Sequence, residues 1–194
     1  LDESGVSDRF ARDLLRAFRA DARNQPCRNW DDLIDYCRYS AMPVGRFLMA
    51  LHGEGERPAA ASDALCTALQ ILNHLQDCGD DWRDLRRLYV PLEWLRAEGL
   101  EPDALLATEA GPALRRVLDR VLAGVDELLV EAGPLGRLLV SRRLGLESAV
   151  IVKLAEALRV ELGRRDPLAE RVELSKPRRL VAGLRGLLAG SFRR

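Results

Sequence analysis

Apolar residues along the chain recur at spacings of three and four, the period of a helix with one buried face. No stretch alternates apolar and polar residues as a half-buried strand would, and β-branched runs are rare. The pattern predicts an all-α fold, a helical bundle formed as one domain over residues 1–194. Ser7 and Asp8 are placed to cap a helix over residues 10–22. A break at 24–27 follows, and Asp31 and Asp32 then open a second helix that carries Pro43 and Gly45 in its middle. Proline there removes a backbone bond and kinks the helix, while glycine permits close approach by another chain or a ligand. Residues 53–62 read as a loop and 63–84 as the next helix. Pro91, Gly99, Pro102, Gly111 and Pro112 punctuate what comes after. Long amphipathic helices are expected at 112–130 and 135–162, and Pro177 opens a last one rich in Arg and Leu.

Composition narrows the partners more than the fold. Lys plus Arg and Asp plus Glu are 30 each, so the chain has no overall electrostatic case for nucleic acid, and any charge argument is local. No apolar run approaches the roughly 18 residues of a membrane span, and the first ten residues are too polar for a signal peptide. The reading is cytoplasmic. The four cysteines, Cys27, Cys37, Cys66 and Cys78, form no CxxC pair, and only His52 and His74 are available to complete a zinc set, so reduced and mostly buried thiols are expected.

Local charge is concentrated on the helix at 63–84. At about 100° per residue, Gln70, Asn73, Asp77 and Asp81 share an arc of about 80°, with Asp80 and Asp84 inside the same arc. Leu65, Leu69 and Leu72 flank this stripe on one side and Ile71 and Cys78 on the other, as for side chains aimed into a cavity. A solvated acidic face would carry interleaved cations, yet no Lys or Arg occurs between residues 58 and 82. Carboxylates at i, i+4 repel, and a hard divalent cation offsets that repulsion. Metal binding, a solvated face, and helix capping or structural pairing all stand on spacing alone. Arg83, Arg86 and Arg87 come directly after the carboxylates; they suit the helix dipole, and they also suit phosphate oxygens.

The run of Gln70, Asn73, Asp77, Gly79, Asp80 and Asp81, followed by Arg87-Leu88-Tyr89-Val90-Pro91, resembles the second aspartate-rich motif of the squalene/phytoene synthase family. The segment Tyr36-Cys37-Arg38-Tyr39-Ser40-Ala41-Met42-Pro43-Val44-Gly45 is similar to that family's substrate-cavity helix. Gly145-Leu146-Glu147 and residues 165–176 are similar to its C-terminal helices. The likeness covers nearly the whole chain and is closest to the bacterial hydroxysqualene-forming branch that serves hopanoid synthesis.

The resemblance implies Mg2+ held by Asn73, Asp77 and Asp81, a prenyl diphosphate substrate, and a diphosphate bound near Gln70, Arg87 and Tyr89. It implies a cavity lined by Tyr36, Ser40, Val44 and Gly45, with Asp77, Asp81 and Tyr36 serving the chemistry. The implied reaction is loss of diphosphate from presqualene diphosphate and capture of water to give hydroxysqualene. Squalene or phytoene synthesis, or an inactive homologue that binds prenyl lipid, are the alternatives; a helical adaptor with a fortuitous motif is the third class. Aromatic faces such as Tyr36 or Tyr39 would stabilise the carbocation. Two departures matter. Gln76 stands where many relatives carry Arg, so one phosphate contact is absent or supplied elsewhere. Nothing before Phe10 matches the family's first aspartate-rich motif, since Asp2, Glu3 and Asp8 lack its spacing. The chain is therefore expected to lack N-terminal helices and half of the metal site, and to be inactive by itself. Implied partners also include neighbouring enzymes of squalene and hopanoid synthesis. The basic, leucine-rich segment 176–194, with Phe192, reads either as a bundle helix or as a peripheral contact with the inner face of the membrane.

Overall fold

The computed structural model describes residues 5–191, which form helices and turns without a strand. In chain order the helices are α1 (Arg9–Asp21), α2 (Trp30–Ser40), α3 (Met42–Leu51), α4 (Ala59–Gln76), α5 (Cys78–Leu85) and α6 (Leu92–Ala97). A 3-10 turn (Pro102–Leu106) precedes α7 (Pro112–Ala132), α8 (Leu135–Leu138), α9 (Arg142–Arg164) and α10 (Lys176–Ser191). Asp2, Glu3 and Phe192 lie outside the described residues.

The core is built around α4, which packs on α2, α3, α7 and α9. Its buried residues run from Ala61 to Leu75 on most of its circumference, and Ala61, Ala64 and Ala68 are small enough to let those neighbours approach. Ile71 and Leu72 are essentially sealed, a burial that favours folding by about 1.5–3 kcal/mol for each side chain. On α7 the complementary row is Leu114, Val117, Leu118, Val121, Leu122, Val125 and Leu129, the three-four spacing read from the sequence.

Two polar and aromatic devices fix the periphery. The Trp30 ring stacks on Trp94 with centroids 5.7 Å apart and planes 4° from parallel, and the Arg120 guanidinium covers Trp94 at 4.0 Å. The edge of Trp30 enters the notch left by Gly124, where a Cβ would lie 2.4 Å from the ring. Buried Glu161 of α9 forms ion pairs with Arg178, at the start of α10, and with Arg165 at 3.8 Å, and so anchors α10 along α9.

The structure corrects several expected boundaries. Ser7 accepts from the Arg9 N–H at 3.2 Å, but Asp8 makes no cap bond. The second helix starts at Trp30 and is capped by Asn29, whose side chain accepts from the Asp32 N–H at 2.9 Å. It is not kinked at Pro43 but divided at Ala41. Pro43 then occupies the first turn of α3, where its missing N–H costs nothing. The helix expected at 63–84 is likewise divided, into α4 and α5 at Asp77. The one expected at 135–162 stops at Leu138 and restarts at Arg142, because Ser141 caps α9 and Glu54 accepts from the N–H groups of Val140 and Ser141, each at 2.6 Å. The four cysteines are free thiols, and burial foremost pushes Cys27 and Cys78 up to about 12.

Two glycine substitutions separate packing from helix propensity. Gly124→Ala must displace a ring held by Trp94 and should lower unfolding free energy in urea by about 1–3 kcal/mol. Gly183→Ala on α10 meets open space and should raise it by about 0.5–1 kcal/mol. Equal effects of the two would contradict the assignment of Gly124 as a packing notch.

Candidate functional site

A pocket of about 410 Å³ gathers residues from five segments: Phe18 and Asp21 of α1, Tyr36 and Ser40 of α2, Gln70, Asn73 and His74 of α4, Asp77 and Asp81 at α5, and Arg87 and Tyr89 beyond it. The oxygen-bearing rim comes from the α4–α5 junction. Asp77 leaves helical geometry, with φ −108° and ψ 9°, yet the bonds from the Asp77 N–H to the Asn73 carbonyl (3.1 Å) and from the Asp81 N–H to the Asp77 carbonyl (2.7 Å) persist through the break. Asn73, Asp77 and Asp81 therefore still face the same pocket. Asp80 and Asp84, placed in the same arc by an uninterrupted helix, are instead exposed, and Asp80 is held by Arg83 at 2.6 Å.

Past α5 the chain reverses at Arg86, a left-handed cap residue with φ 54° and ψ 33°. The reversal is fixed by the Arg87 N–H on the Asp81 carbonyl (3.1 Å), the Cys27 N–H on the Leu88 carbonyl (3.0 Å) and the Leu92 N–H on the Cys27 carbonyl (3.0 Å). Those bonds hold residues 86–91 as a strap that carries Arg87 and Tyr89 over the rim. The expected cluster of three arginines is thus dispersed: Arg83 serves Asp80, Arg86 lies over Trp82 and beside Asp103, and only Arg87 reaches the pocket. Among the described residues Arg87 makes no ion pair, and its buried Nε has no hydrogen-bond partner.

The opposite wall is a hydrogen-bonded aromatic group. Asp21 accepts from the Tyr89 hydroxyl at 2.9 Å and from the Tyr36 hydroxyl at 3.2 Å, and the two phenol oxygens are 3.4 Å apart. Asp21 ends α1, where the helix dipole disfavours negative charge, and the two phenols satisfy it there. Burial foremost pushes both tyrosine hydroxyls up from the usual range, with their mutual contact and the Asp21 charge contributing at Tyr89, so both remain neutral donors. His74 stacks on Tyr89 with centroids 3.6 Å apart, has Nε2 at 3.1 Å from Nε2 of Gln70, and has Nδ1 at 3.8 Å from Asp81.

Eight residues singled out from the sequence meet here: Tyr36, Ser40, Gln70, Asn73, Asp77, Asp81, Arg87 and Tyr89. Val44 and Gly45 do not line this pocket. Val44 is about half exposed on α3, with Leu48 and Leu51 one and two turns further on the same face, an apolar row that begins one turn past Ser40. Gly45 is buried where a Cβ would lie 2.5 Å from Ser62 Oγ and 2.7 Å from Cys66 Sγ, so it brings α3 close to α4. Phe18, Asp21 and His74 escaped the sequence reading. The position of His74 was available from the helical arc, four residues after Gln70; nothing in the spacing links Asp21 to the acidic rim. Gln76, the departure noted above, donates from its side chain to the Val172 carbonyl at 2.6 Å and so pins the α9–α10 connection, and Arg171 from that connection stands 3.7 Å from Asp77. A larger cavity of about 520 Å³ lies beyond Tyr36, but its carboxylates Asp32 and Asp35 are paired with Arg28 and Arg38.

Comparison with known proteins agrees with the architecture. A family model for squalene/phytoene synthase matches residues 1–178. The hydroxysqualene synthase of Rhodopseudomonas palustris is 44% identical over 192 residues, 99% of this chain and 65% of that protein. The chain thus spans about two thirds of the relative's length. A crystal structure of a squalene synthase from Alicyclobacillus acidocaldarius superposes with a TM-score of 0.77 at 33% identity, over 84% of this chain and 62% of that one. A dehydrosqualene synthase shares the fold, with a TM-score of 0.78 at 20% identity over 93% of this chain and 64% of that one.

The Asp21 bridge can be tested without any substrate. Tyr89→Phe keeps the ring on His74 but deletes a hydrogen bond to a carboxylate, and should cost about 1.5–3 kcal/mol in urea unfolding. An unchanged midpoint and slope would show that the bridge does not hold the strap.

Proposed function

The chain belongs to the squalene/phytoene synthase family, and from that premise we propose that it carries half of an Mg2+-dependent site that ionises a prenyl diphosphate, with presqualene diphosphate converted to hydroxysqualene. One observation carries this reading: an unpaired guanidinium, Arg87, faces the same pocket as Asn73, Asp77 and Asp81. A pocket that offers carboxylates beside a free guanidinium suits a ligand that is anionic and accompanied by cations.

The donor set fits Mg2+ as one side of a site. Asn73, Asp77 and Asp81 offer hard oxygen ligands and Gln70 stands with them. Among the described residues no group of three His, Cys, Asp or Glu side chains forms a metal cage. Asn73, Asp77 and Asp81 would hold the ion, and phosphate oxygens would complete its shell. Bound there, Mg2+ supplies neutralisation of the diphosphate charge and Lewis-acid polarisation. Asn73, Asp77 and Asp81 are one side of a metal cluster that the family places between two aspartate-rich segments, so the 194 residues alone should show negligible turnover.

The protein's own residues divide the remaining work. Arg87 forks onto phosphate oxygens and stabilises the negative charge that develops as the C–O bond breaks and its electron pair leaves with diphosphate. Tyr36 and Tyr89, whose protons are committed to Asp21, turn oxygen lone pairs and ring faces toward the carbocation. Ser40 and Val44, with the apolar row beyond them, accept the isoprenoid tail, and Gly45 sets the α3–α4 spacing that places that row. Water adds through its oxygen to the cation, and a proton leaves to solvent. The 44% identity to a hydroxysqualene synthase supports this outcome over a reductive one.

The experiment is mass spectrometry of the product made by a full-length protein carrying these residues, from presqualene diphosphate and Mg2+ in 18O-labelled water without NADPH. The expected product is hydroxysqualene with solvent oxygen, lost in Asp77→Ala and Asp81→Ala but largely kept in Asp84→Ala. Unlabelled product, squalene that appears only with NADPH, or phytoene from geranylgeranyl diphosphate would overturn the assignment.

A further inference from the structure

The C-terminal helix is amphipathic twice over. Its small-residue side lies on α9: Ala182 is buried, and at Gly186 a Cβ would lie 2.4 Å from the Val150 backbone. Its other side carries Leu180, Val181, Leu184, Leu187 and Leu188, which are 46–66% exposed and span an arc of about 120° at 100° per residue. The whole of α10 contains four basic residues and no acidic one. Next to the apolar arc, between α9 and α10, runs a groove of about 490 Å³ whose lining includes Val160, Val181, Arg164 and Arg185. The other cations of the groove are engaged, Lys153 with Glu156 at 2.7 Å and Arg178 with Glu161. Among the described residues Arg164 and Arg185 make no ion pair.

We propose that this face docks on the surface of an anionic lipid bilayer. Leu180, Leu184, Leu187 and Leu188 enter the boundary between headgroups and acyl chains, and Arg164 and Arg185 meet lipid phosphates along the groove. An apolar arc bordered by unpaired guanidinium groups is the pattern of a helix that lies in the interface plane, where burial of leucines and attraction to anionic lipid add. No described helix is long and apolar enough to cross the membrane. A second copy is a poorer occupant, because a two-fold contact would bring the same unpaired arginines toward each other, whereas anionic lipid neutralises them. The inference is independent of the chemistry proposed for the pocket.

Co-sedimentation with vesicles tests it. The protein should bind phosphatidylglycerol vesicles far better than phosphatidylcholine vesicles, and the preference should fade in high salt. The pair Leu184→Glu and Leu188→Glu, on an exposed surface, should abolish binding with an unchanged melting temperature. Arg164→Gln and Arg185→Gln should each weaken it by about fivefold. Absence of binding, binding that survives the leucine changes, or binding abolished by millimolar inorganic phosphate would overturn the proposal. So would light scattering that shows a dimer broken by the leucine changes, which would give this face to a second copy.

Discussion

A helix buried on most of its circumference can carry charged groups only where they face a cavity, the chain end or a partner of opposite charge, as Asp63 faces Arg46, and α4 obeys this constraint along its length. From Ala61 to Leu75 its inward positions are alanines, leucines and an isoleucine packed on four neighbours, with the small polar Ser62 and Thr67 among them, and the larger polar groups Gln70, Asn73 and His74 are turned to the pocket on one side. The helix opens at Asp77 just where it leaves the core. Two carboxylates thereby stay at a pocket rim and two others turn outward to solvent, one of them to an arginine. Packing of α4 thus decides which acidic residues can act together.

The rest of the site is held in place by bonds that cross long stretches of sequence. Asp21, at the end of α1, ties Tyr36 of α2 to Tyr89 of the strap after α5, while His74 of α4 stacks on Tyr89 and leans toward Asp81. The strap itself is a short reversal made possible by one left-handed residue and three backbone bonds. Acidic rim, aromatic wall and Arg87 are therefore joined in one network of bonds and stacked rings.

Much of this is legible in the sequence. Helical periodicity is set by burial of one face, and the three-four spacing of α7 and the polar arc of α4 follow from 100° per residue. Breaks are less legible, since a helix divided at one residue keeps its apolar period on both sides; the divisions at Ala41 and Leu139 are decided by a proline ring and by caps such as Glu54, which arrives from a distant loop, and the one at Asp77 has no local signature. Asp80 and Asp84 were grouped with the rim for that reason. Asp21 was invisible because its partners are tyrosines on other elements. The pairing of Gln76 with Val172, which brings Arg171 beside Asp77, is a tertiary event with no local signature.

The central claim is that the α4–α5 rim and Arg87 together take a diphosphate in company with Mg2+. Isothermal titration calorimetry of inorganic diphosphate into the protein, with and without Mg2+, addresses it directly. Binding heat should appear only with Mg2+ present and should weaken at least tenfold in Arg87→Ala, as loss of a charge-assisted contact requires. Diphosphate binding that is indifferent to Mg2+, or that survives Arg87→Ala undiminished, would contradict the account.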